Sequence, residues 1–522
     1  MNNYVFGANI IENLTTGMYR DSKVIYREYI QNACDQIDKA IKQGIIEKGK
    51  EEIYIDLNLD DRTITITDNA TGIRKNDFAR ILSSIADSDK RLGEDKGFRG
   101  IGRLCGLAYC SKLVFSSTAK GENIISKMEC DAEKMRKMIT ENESGVKHTA
   151  KEILERINSF SEEKDNSKKE EHWFKVELID INQENTDLLD FKNVKDYLSF
   201  IAPVPYKNTF IFRNKIYKHA KQLGIEIDEY IIKLNGEQIL KEYKTNYKTR
   251  SGEDEIFDID FKDFYDNDKQ LIAWSWIGLS AFKGVIEREC LMRGIRLRKE
   301  NIQIGSEDTL QQYFKEDRGI HYFVGEIFGI SKDLIPNAQR DFFNENPMRK
   351  TFESHLKKYF SELYRVYHGG SEVNSAFKKI DDAKIKEREF EAKQRSGLFV
   401  NNQDIQNDKE NLERVNEEAD KAKKKLEKIK QGTSDILIKI ISHVETTRPK
   451  DSESDNQTGF DKGFADKGCT TNENPPKYIT DVLSKLSKRE RKLISTIYAV
   501  IKKSVDEKTA KIIIDNIQTE LK

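Results

Sequence analysis

Tyr26-Arg27-Glu28-Tyr29-Ile30-Gln31-Asn32-Ala33-Cys34-Asp35-Gln36-Ile37-Asp38-Lys39-Ala40 reads as a helix with two unlike faces. At helical period Tyr29, Ala33, Ile37 and Ala40 form an apolar stripe. Glu28, Asn32 and Asp35, at i, i+4 and i+7, share another face. A carboxylate and a carboxamide on successive turns suit two tasks. The amide oxygen is a hard ligand for Mg²⁺, and the carboxylate can orient and deprotonate a water. Taken alone, the same pattern describes any amphipathic helix with a solvated polar side. The neighbouring segments decide between the two.

Outward from this helix, Glu51 to Leu59 and Thr63 to Thr67 alternate apolar and polar residues about an Asp60-Asp61-Arg62 turn, which predicts a β-hairpin. The second strand runs into Asp68-Asn69-Ala70-Thr71-Gly72-Ile73. An Asp at a strand end can accept from an exocyclic amine, and Gly72 lets the backbone approach a planar ligand. A glycine cluster follows, Gly93-Glu94-Asp95-Lys96-Gly97-Phe98-Arg99-Gly100-Ile101-Gly102-Arg103, ahead of an apolar run from Leu104 to Cys110 and a strand-like Lys112 to Ser117. Glycines before a helix allow successive N–H groups to face one anion. The G-x-x-x-x-G-K-[S/T] pattern of a P-loop is absent.

This order (polar-faced helix, Asp68…Gly72 after a hairpin, glycine loop before a helix) resembles the GHKL ATPases, the superfamily of gyrase B subunits, heat shock protein 90, histidine kinases and MutL. The helix, and the lid-entry segment Ile81 to Lys90, are most similar to the heat shock protein 90 version. The resemblance implies an α+β fold with a GHKL (Bergerat) α/β sandwich. It implies ATP and Mg²⁺ as ligands, Glu28 as general base, Asn32 on the Mg²⁺ and Asp68 on the adenine amino group. Asp35 would support the site from the next turn. Gly97, Arg99, Gly100, Ile101 and Gly102 would give backbone donors to the phosphates within a lid, with Lys96 or Arg103 adding charge. Such chemistry needs aligned water, neutralised charge and preorganised donors.

Two departures stand out. The family's D-x-G-x-G has Ala70 in place of its first glycine, and no Gly-Thr pair precedes the strand expected over Lys175 to Ile181, where Trp173-Phe174 stands instead. Thr149 is the alternative source of the missing hydroxyl. The charged residues between Glu129 and Glu171 read as a helical insertion ending in a solvated loop.

Further on, Pro203 and Pro205 mark a connector, and Asn235-Gly236 marks a turn between strands. Trp274 and Trp276 lie in an alternating core strand. The series from Arg293-Gly-Ile-Arg-Leu-Arg298 to Pro336-Asn337-Ala338-Gln339-Arg340-Asp341 is similar to the middle, or transducer, domain of heat shock protein 90, and Arg340 corresponds to the arginine that reaches the γ-phosphate. Arg293, Arg296 and Arg298 suit either phosphate contacts or a solvated strand face.

Leu412, Val415, Ala419, Ala422, Leu426 and Ile429 repeat at 3-4 spacing, a coiled-coil seam able to meet a partner or fold back. The implied organisation is a GHKL ATP-binding domain over 1–185, a transducer over 186–375, a helical coiled-coil region over 376–445, a flexible linker over 446–476 and a helical docking or dimerisation region over 477–522.

The chain has 522 residues, Lys+Arg 89 against Asp+Glu 90 and a formal net charge of -1, so bulk charge does not select nucleic acid as a partner. With 34% charged residues, mean hydropathy of -0.71, no apolar run of about 18 residues and no signal-peptide pattern, the expectation is a cytoplasmic protein without a membrane span. The scattered cysteines read as reduced thiols, and no histidine spacing suggests a metal held by protein ligands alone. The expected protein is thus an Mg-dependent ATPase working as a dimeric clamp on a macromolecular client. That client is a protein, or DNA as for MORC or MutL proteins, in phage defence. The other alternative is a nucleotide-gated scaffold with little hydrolysis. No His precedes the ATPase segment, which disfavours a histidine kinase.

Overall fold

The computed structural model describes residues 6–15, 17, 21–85, 102–143, 147–164, 169–431, 435–447, 478–483 and 485–521. It separates into two compact units: residues 1–280 with 284–364, and residues 281–283 with 365–522.

The first unit opens with α1 (Asn9–Thr15) and α2 (Val24–Lys42). The hairpin β1 (Ile53–Asn58) and β2 (Thr63–Asp68) pairs antiparallel with Ile55 opposite Ile66. After α3 (Lys75–Ser83), a 3-10 turn over Gly102–Ala108 leads into β3 (Cys110–Thr118) and β4 (Ile124–Asp131). Then come α4 (Ala132–Glu143), α5 (Ala150–Ile157), β5 (Asn158–Lys164), β6 (Trp173–Ile181), α6 (Phe191–Ile201) and α7 (Arg213–Gln222). Two short strands, β7 (Ile232–Leu234) and β8 (Glu237–Gln238), complete an eight-stranded sheet in the order β5-β4-β3-β6-β2-β1-β7-β8.

One face of this sheet buries Ile55, Ile64, Ile66, Leu113, Phe115 and Leu178 against Tyr29, Ala33 and Ile37 of α2. The apolar stripe of α2 is therefore core, as its spacing predicts. Two details differ from expectation. The first sheet continues beyond residue 185, because β7 pairs in parallel with β1 (Ile53 opposite Ile232) and turns back at Asn235-Gly236, both with positive φ. Part of the expected solvated loop is the edge strand β5, which pairs with β4 and is otherwise exposed. Main-chain pairing suffices for an edge strand, so its charged composition hides it from the sequence pattern.

The remainder of this unit holds a β9 (Asn246–Thr249)–β10 (Gly252–Glu255) ribbon and a five-stranded sheet. The sheet is built from β11 (Asp258–Tyr265), β12 (Leu271–Leu279), β13 (Gly294–Lys299), β14 (Ile302–Ile304) and β15 (Val324–Gly329), in the order β11-β12-β15-β13-β14. Trp274 and Trp276 are fully buried on β12. Every residue of β13 is buried, so the solvated-face reading of its arginines fails.

Arg298 is instead part of a sealed ionic network around Glu326, which also takes Lys241 at 3.2 Å, Tyr243 Oη at 3.0 Å and Trp276 Nε1 at 3.2 Å. Burial pushes the Glu326 carboxyl up, but Arg298 and Lys241 overcome this and hold it well below the usual carboxylate range. Arg298 also donates to the Phe200 carbonyl at the end of α6 (2.9 Å), and Asn301 donates to the Asp228 carbonyl (2.6 Å). Both acceptors lie in the segment between β6 and β7 of the first sheet, so these bonds tie the five-stranded sheet to it.

α8 (Pro347–Arg395) contributes to both units. The second unit adds α9 (Asn402–Gln431), α10 (Asp435–Thr447), α11 (Lys488–Ser504) and α12 (Glu507–Leu521). Ion pairs Glu372–Lys425, Lys379–Glu418 and Lys393–Asp408 set α8 and α9 antiparallel, and the seam residues Ala419, Ala422 and Leu426 are buried. Of the expected linker over 446–476, only 446 and 447 are described, at the end of α10. No helix among the described residues is long and apolar enough to cross a membrane.

Candidate nucleotide site

The polar face of α2 is not a solvent face. Glu28 and Asp35 are 8% and 6% exposed, and Asn32 is half-buried. Carboxylates are seldom buried this far unless a structure has a use for them. One turn beyond Asn32, Gln36 Oε1 accepts from the Thr71 hydroxyl at 3.2 Å, tying the post-hairpin loop to the helix.

Asp68 ends β2 in a buried position, its carboxylate accepting from Ala70 N at 3.0 Å and from the Phe174 amide. Burial raises its carboxyl to about 7, against the opposing effect of those two bonds. Two residues on, Gly72 has φ +62°, and a Cβ there would stand 1.9 Å from the Thr118 carbonyl oxygen. Glycine is required twice over, by the left-handed backbone and by the contact with β3. Ser117 completes this corner: its hydroxyl accepts from Ile73 N and donates to the Trp173 carbonyl, each at 2.8 Å. His172 Nδ1 lies 2.6 Å from the Ala70 carbonyl. Thr149, the alternative for the missing Thr, caps α5 instead, its hydroxyl accepting from Glu152 N at 3.2 Å. Opposite Asp68 in the sheet stands Phe174.

Gly102 begins the 3-10 turn, and a Cβ on it would lie 2.3 Å from Glu28 Oε2. Gly102 therefore lies directly against the Glu28 carboxylate. Tyr29 clamps the following turn, donating to the Arg103 carbonyl (3.0 Å) and accepting from Gly106 N (3.2 Å). Lys96, Gly97, Arg99, Gly100 and Ile101 lie outside the described residues.

Arg340 reaches the same carboxylate from the loop after β15. Its Nε is 3.7 Å from Glu28 Oε1, both side chains being about 10% exposed. Its backbone has φ +55°, held by Arg340 N donating to Asn337 O (3.2 Å) and Gly305 N donating to Arg340 O (2.7 Å). Arg27, which the helical-face reading passed over, is the second guanidinium here, with Nη2 3.4 Å from Glu28 Oε1 and from the Gln339 carbonyl. Residues at i and i+1 do not share a helix face, so periodicity cannot pair Arg27 with Glu28.

These groups fit an adenine nucleotide. They comprise a buried acceptor at Asp68, close-approach glycines at 72 and 102, a carboxylate between two guanidiniums at Glu28 and a carboxamide at Asn32. No cluster of three or more His, Cys, Asp or Glu suited to a metal occurs among the described residues. An Mg²⁺ ion beside Asn32 would accordingly take its other ligands from phosphate and water, its usual habit.

Comparison with known proteins agrees. Residues 22–166 match the family model described as "Histidine kinase-, DNA gyrase B-, and HSP90-like ATPase". Among curated relatives, the chain is similar to the chaperone protein HtpG of Halalkalibacterium halodurans (29% identical over 129 residues, 22% of this chain and 21% of the relative). It is likewise similar to HtpG of Acinetobacter baylyi (29% over 140 residues, 23% and 22%) and of Vesicomyosocius okutanii (32% over 87 residues, 16% and 14%). The chain thus spans no more than 22% of the length of these relatives. The match covers the α2 face, the hairpin and the glycine loop together. What the comparisons show is therefore a likeness of residues 22–166 to the histidine kinase-, DNA gyrase B- and HSP90-like ATPases.

Proposed function

We propose that the protein is an Mg-dependent ATPase whose nucleotide state switches its conformation. Asp68 accepts from the adenine amino group, with Gly72 letting the backbone lie against the base. Asn32 holds Mg²⁺, which supplies charge neutralisation at the phosphates. Asp35 braces this face of the helix. Glu28 orients and deprotonates the attacking water, and Gly102 with Lys96, Gly97, Arg99, Gly100 and Ile101 forms the phosphate-covering lid. Arg340 meets the terminal phosphate. The single observation that carries the reading is the approach of Arg340 to Glu28, which brings the loop after β15 onto the reacting end of the site.

The chain further works as a homodimeric clamp on a macromolecular client, a protein or, as the alternative, DNA. Exposed Leu493, Val500 and Ile512 on α11 and α12 support a partner surface in the 477–522 region. The 1–185 and 186–375 segments act as ATPase and transducer, and the 376–445 helices connect them to that surface. A scaffold with little hydrolysis is the second reading, favoured by Phe174 standing opposite Asp68 where a hydroxyl would support the adenine.

The test is ATP turnover with and without DNA, for the chain and for Glu28→Ala, alongside solution mass with a non-hydrolysable ATP analogue. Loss of turnover with retained ATP binding in Glu28→Ala supports the ATPase. Turnover unchanged in that variant removes Glu28 from the reaction.

A further inference from the structure

The first unit contains a further recess, a cleft of about 1120 Å³. It is walled by the start of α2, by α6 and by the segment running from Arg288 through β13 and β14 to Gly305 and Thr309. A volume of this order suits a ligand of nucleotide size rather than a single small ion. Neither Glu28, Asn32 nor Asp68 lines it; among the described residues the two sites share Arg27 and Arg340.

Three arginines of this wall, Arg288, Arg293 and Arg296, make no ion pair with a carboxylate among the described residues. Arg296 is 5% exposed. Its guanidinium sits 4.3 Å over the Phe200 ring and donates through Nη2 to the Leu291 carbonyl, yet among the described residues its buried Nε has no hydrogen-bond partner. The buried Nε of Arg293 also has none. Gln303, 2% exposed, donates to the Gly305 carbonyl at 3.0 Å while its buried Oε1 has no donor. Buried donors and acceptors without partners are costly and uncommon in a folded chain. Here two donors and one acceptor line a single cleft.

We propose that this cleft is a binding site for a small phosphorylated molecule. The guanidiniums of Arg293 and Arg296 take its phosphate oxygens, and Gln303 Oε1 accepts from one of its hydroxyl or amino groups. The remaining lining argues for a compact ligand rather than a nucleic-acid backbone. Asp196 and Glu307 share the cleft with the arginines, so a continuous polyanion laid along it would meet like charge. The ligand is either a nucleotide or an inorganic oligophosphate. Both present the same oxygens, and only the nucleotide satisfies Gln303 as well.

The experiment is calorimetric titration of the full chain and of its Asp68→Asn variant with ADP and, separately, with inorganic pyrophosphate. Asp68→Asn weakens adenine recognition at the first site, and binding that is lost on adding Arg293→Ala is assigned to the cleft. Expected is one equivalent bound by the variant, weakened about tenfold or more when Arg293→Ala is added. Thermal stability should change little, since the buried Arg293 Nε has no hydrogen-bond partner among the described residues. Tighter binding of ADP than pyrophosphate identifies a nucleotide; equal binding identifies the oligophosphate group alone. No binding to Asp68→Asn, or binding indifferent to Arg293→Ala, overturns the site. A single-stranded oligonucleotide that displaces pyrophosphate and is itself lost with Arg293→Ala overturns the compact ligand in favour of nucleic acid. Failure of the ATP-site reading has a different signature: the unaltered chain and Asp68→Asn bind ADP with the same stoichiometry.

Discussion

Arg340 Nε lies 3.7 Å from Glu28 Oε1, although one residue belongs to the second helix of the chain and the other to a loop beyond the five-stranded sheet. Arg27 stands on the other side of the same carboxylate. The arginine and the carboxylate form an ion pair, and an anion that competes for the guanidinium would release the carboxylate. Loss of the guanidinium is therefore expected to slow turnover by about a hundredfold or more while leaving ATP affinity nearly unchanged. Arg340→Asn is the variant to use, because Asn tolerates the φ of +55° that Ala would not. Phosphate release and nucleotide binding, measured side by side, check this.

The two described site glycines should fail in different ways. At Gly72 an added Cβ meets the Thr118 carbonyl, a backbone atom, at a positive φ. Gly72→Ala should cost about 2–5 kcal/mol of stability, read by chemical denaturation. At Gly102 the obstacle is the mobile end of Glu28. Gly102→Ala should leave the midpoint of unfolding nearly where it was and depress turnover by pushing the carboxylate aside.

Asp68 sets a pH dependence. Burial raises its folded-state carboxyl from 3.8 to about 7, so the folded chain holds a proton that the unfolded chain releases. The stability this contributes is fully present below the unfolded value of 3.8 and is lost as pH rises through about 7. Unliganded protein should accordingly weaken as pH rises from 3.8 to about 7, and Asp68→Asn should flatten that slope. An adenine amine donating to Asp68 favours the carboxylate. Nucleotide binding should therefore release protons just below neutrality, seen as a calorimetric heat that changes with buffer ionisation enthalpy.

Glu326 offers a test remote from the nucleotide. Replacing it by Gln leaves Arg298 and Lys241 fully buried without their counter-charge. Breaking a buried pair in this way is expected to cost about 3–5 kcal/mol, measurable as a lowered denaturant midpoint. Replacing Glu326, Arg298 and Lys241 together with apolar residues should cost less than Glu326→Gln alone.

The elements that carry the candidate nucleotide site declare themselves in the sequence because each obeys a local period. Glu28, Asn32 and Asp35 follow the helix repeat, and Ile53 to Thr67 follow the strand repeat. The glycines at 72 and 102 are explained by what they touch. What stayed hidden depends on long-range pairing. β5 is a strand only because β4 offers it a ladder, and β7 joins the first sheet only because β1 has a free edge. Arg293, Arg296 and Arg298 look alike in sequence. One is sealed against Glu326 while the other two line a cleft, a distinction decided by Glu326, Phe200 and Gln303.

The charged knot around Glu326 also bears on how a signal would travel. Arg298 reaches from the five-stranded sheet to the last turn of α6, and Asn301 to the strand-entry residue Asp228, both behind a wall that admits no water-sized exposure at Glu326. Such a hinge has no cheap half-open position, since any parting strands an ion in hydrocarbon. A movement driven by nucleotide, as proposed above, would leave this joint intact and swing what lies on either side of it, much as a welded elbow transmits a turn without bending.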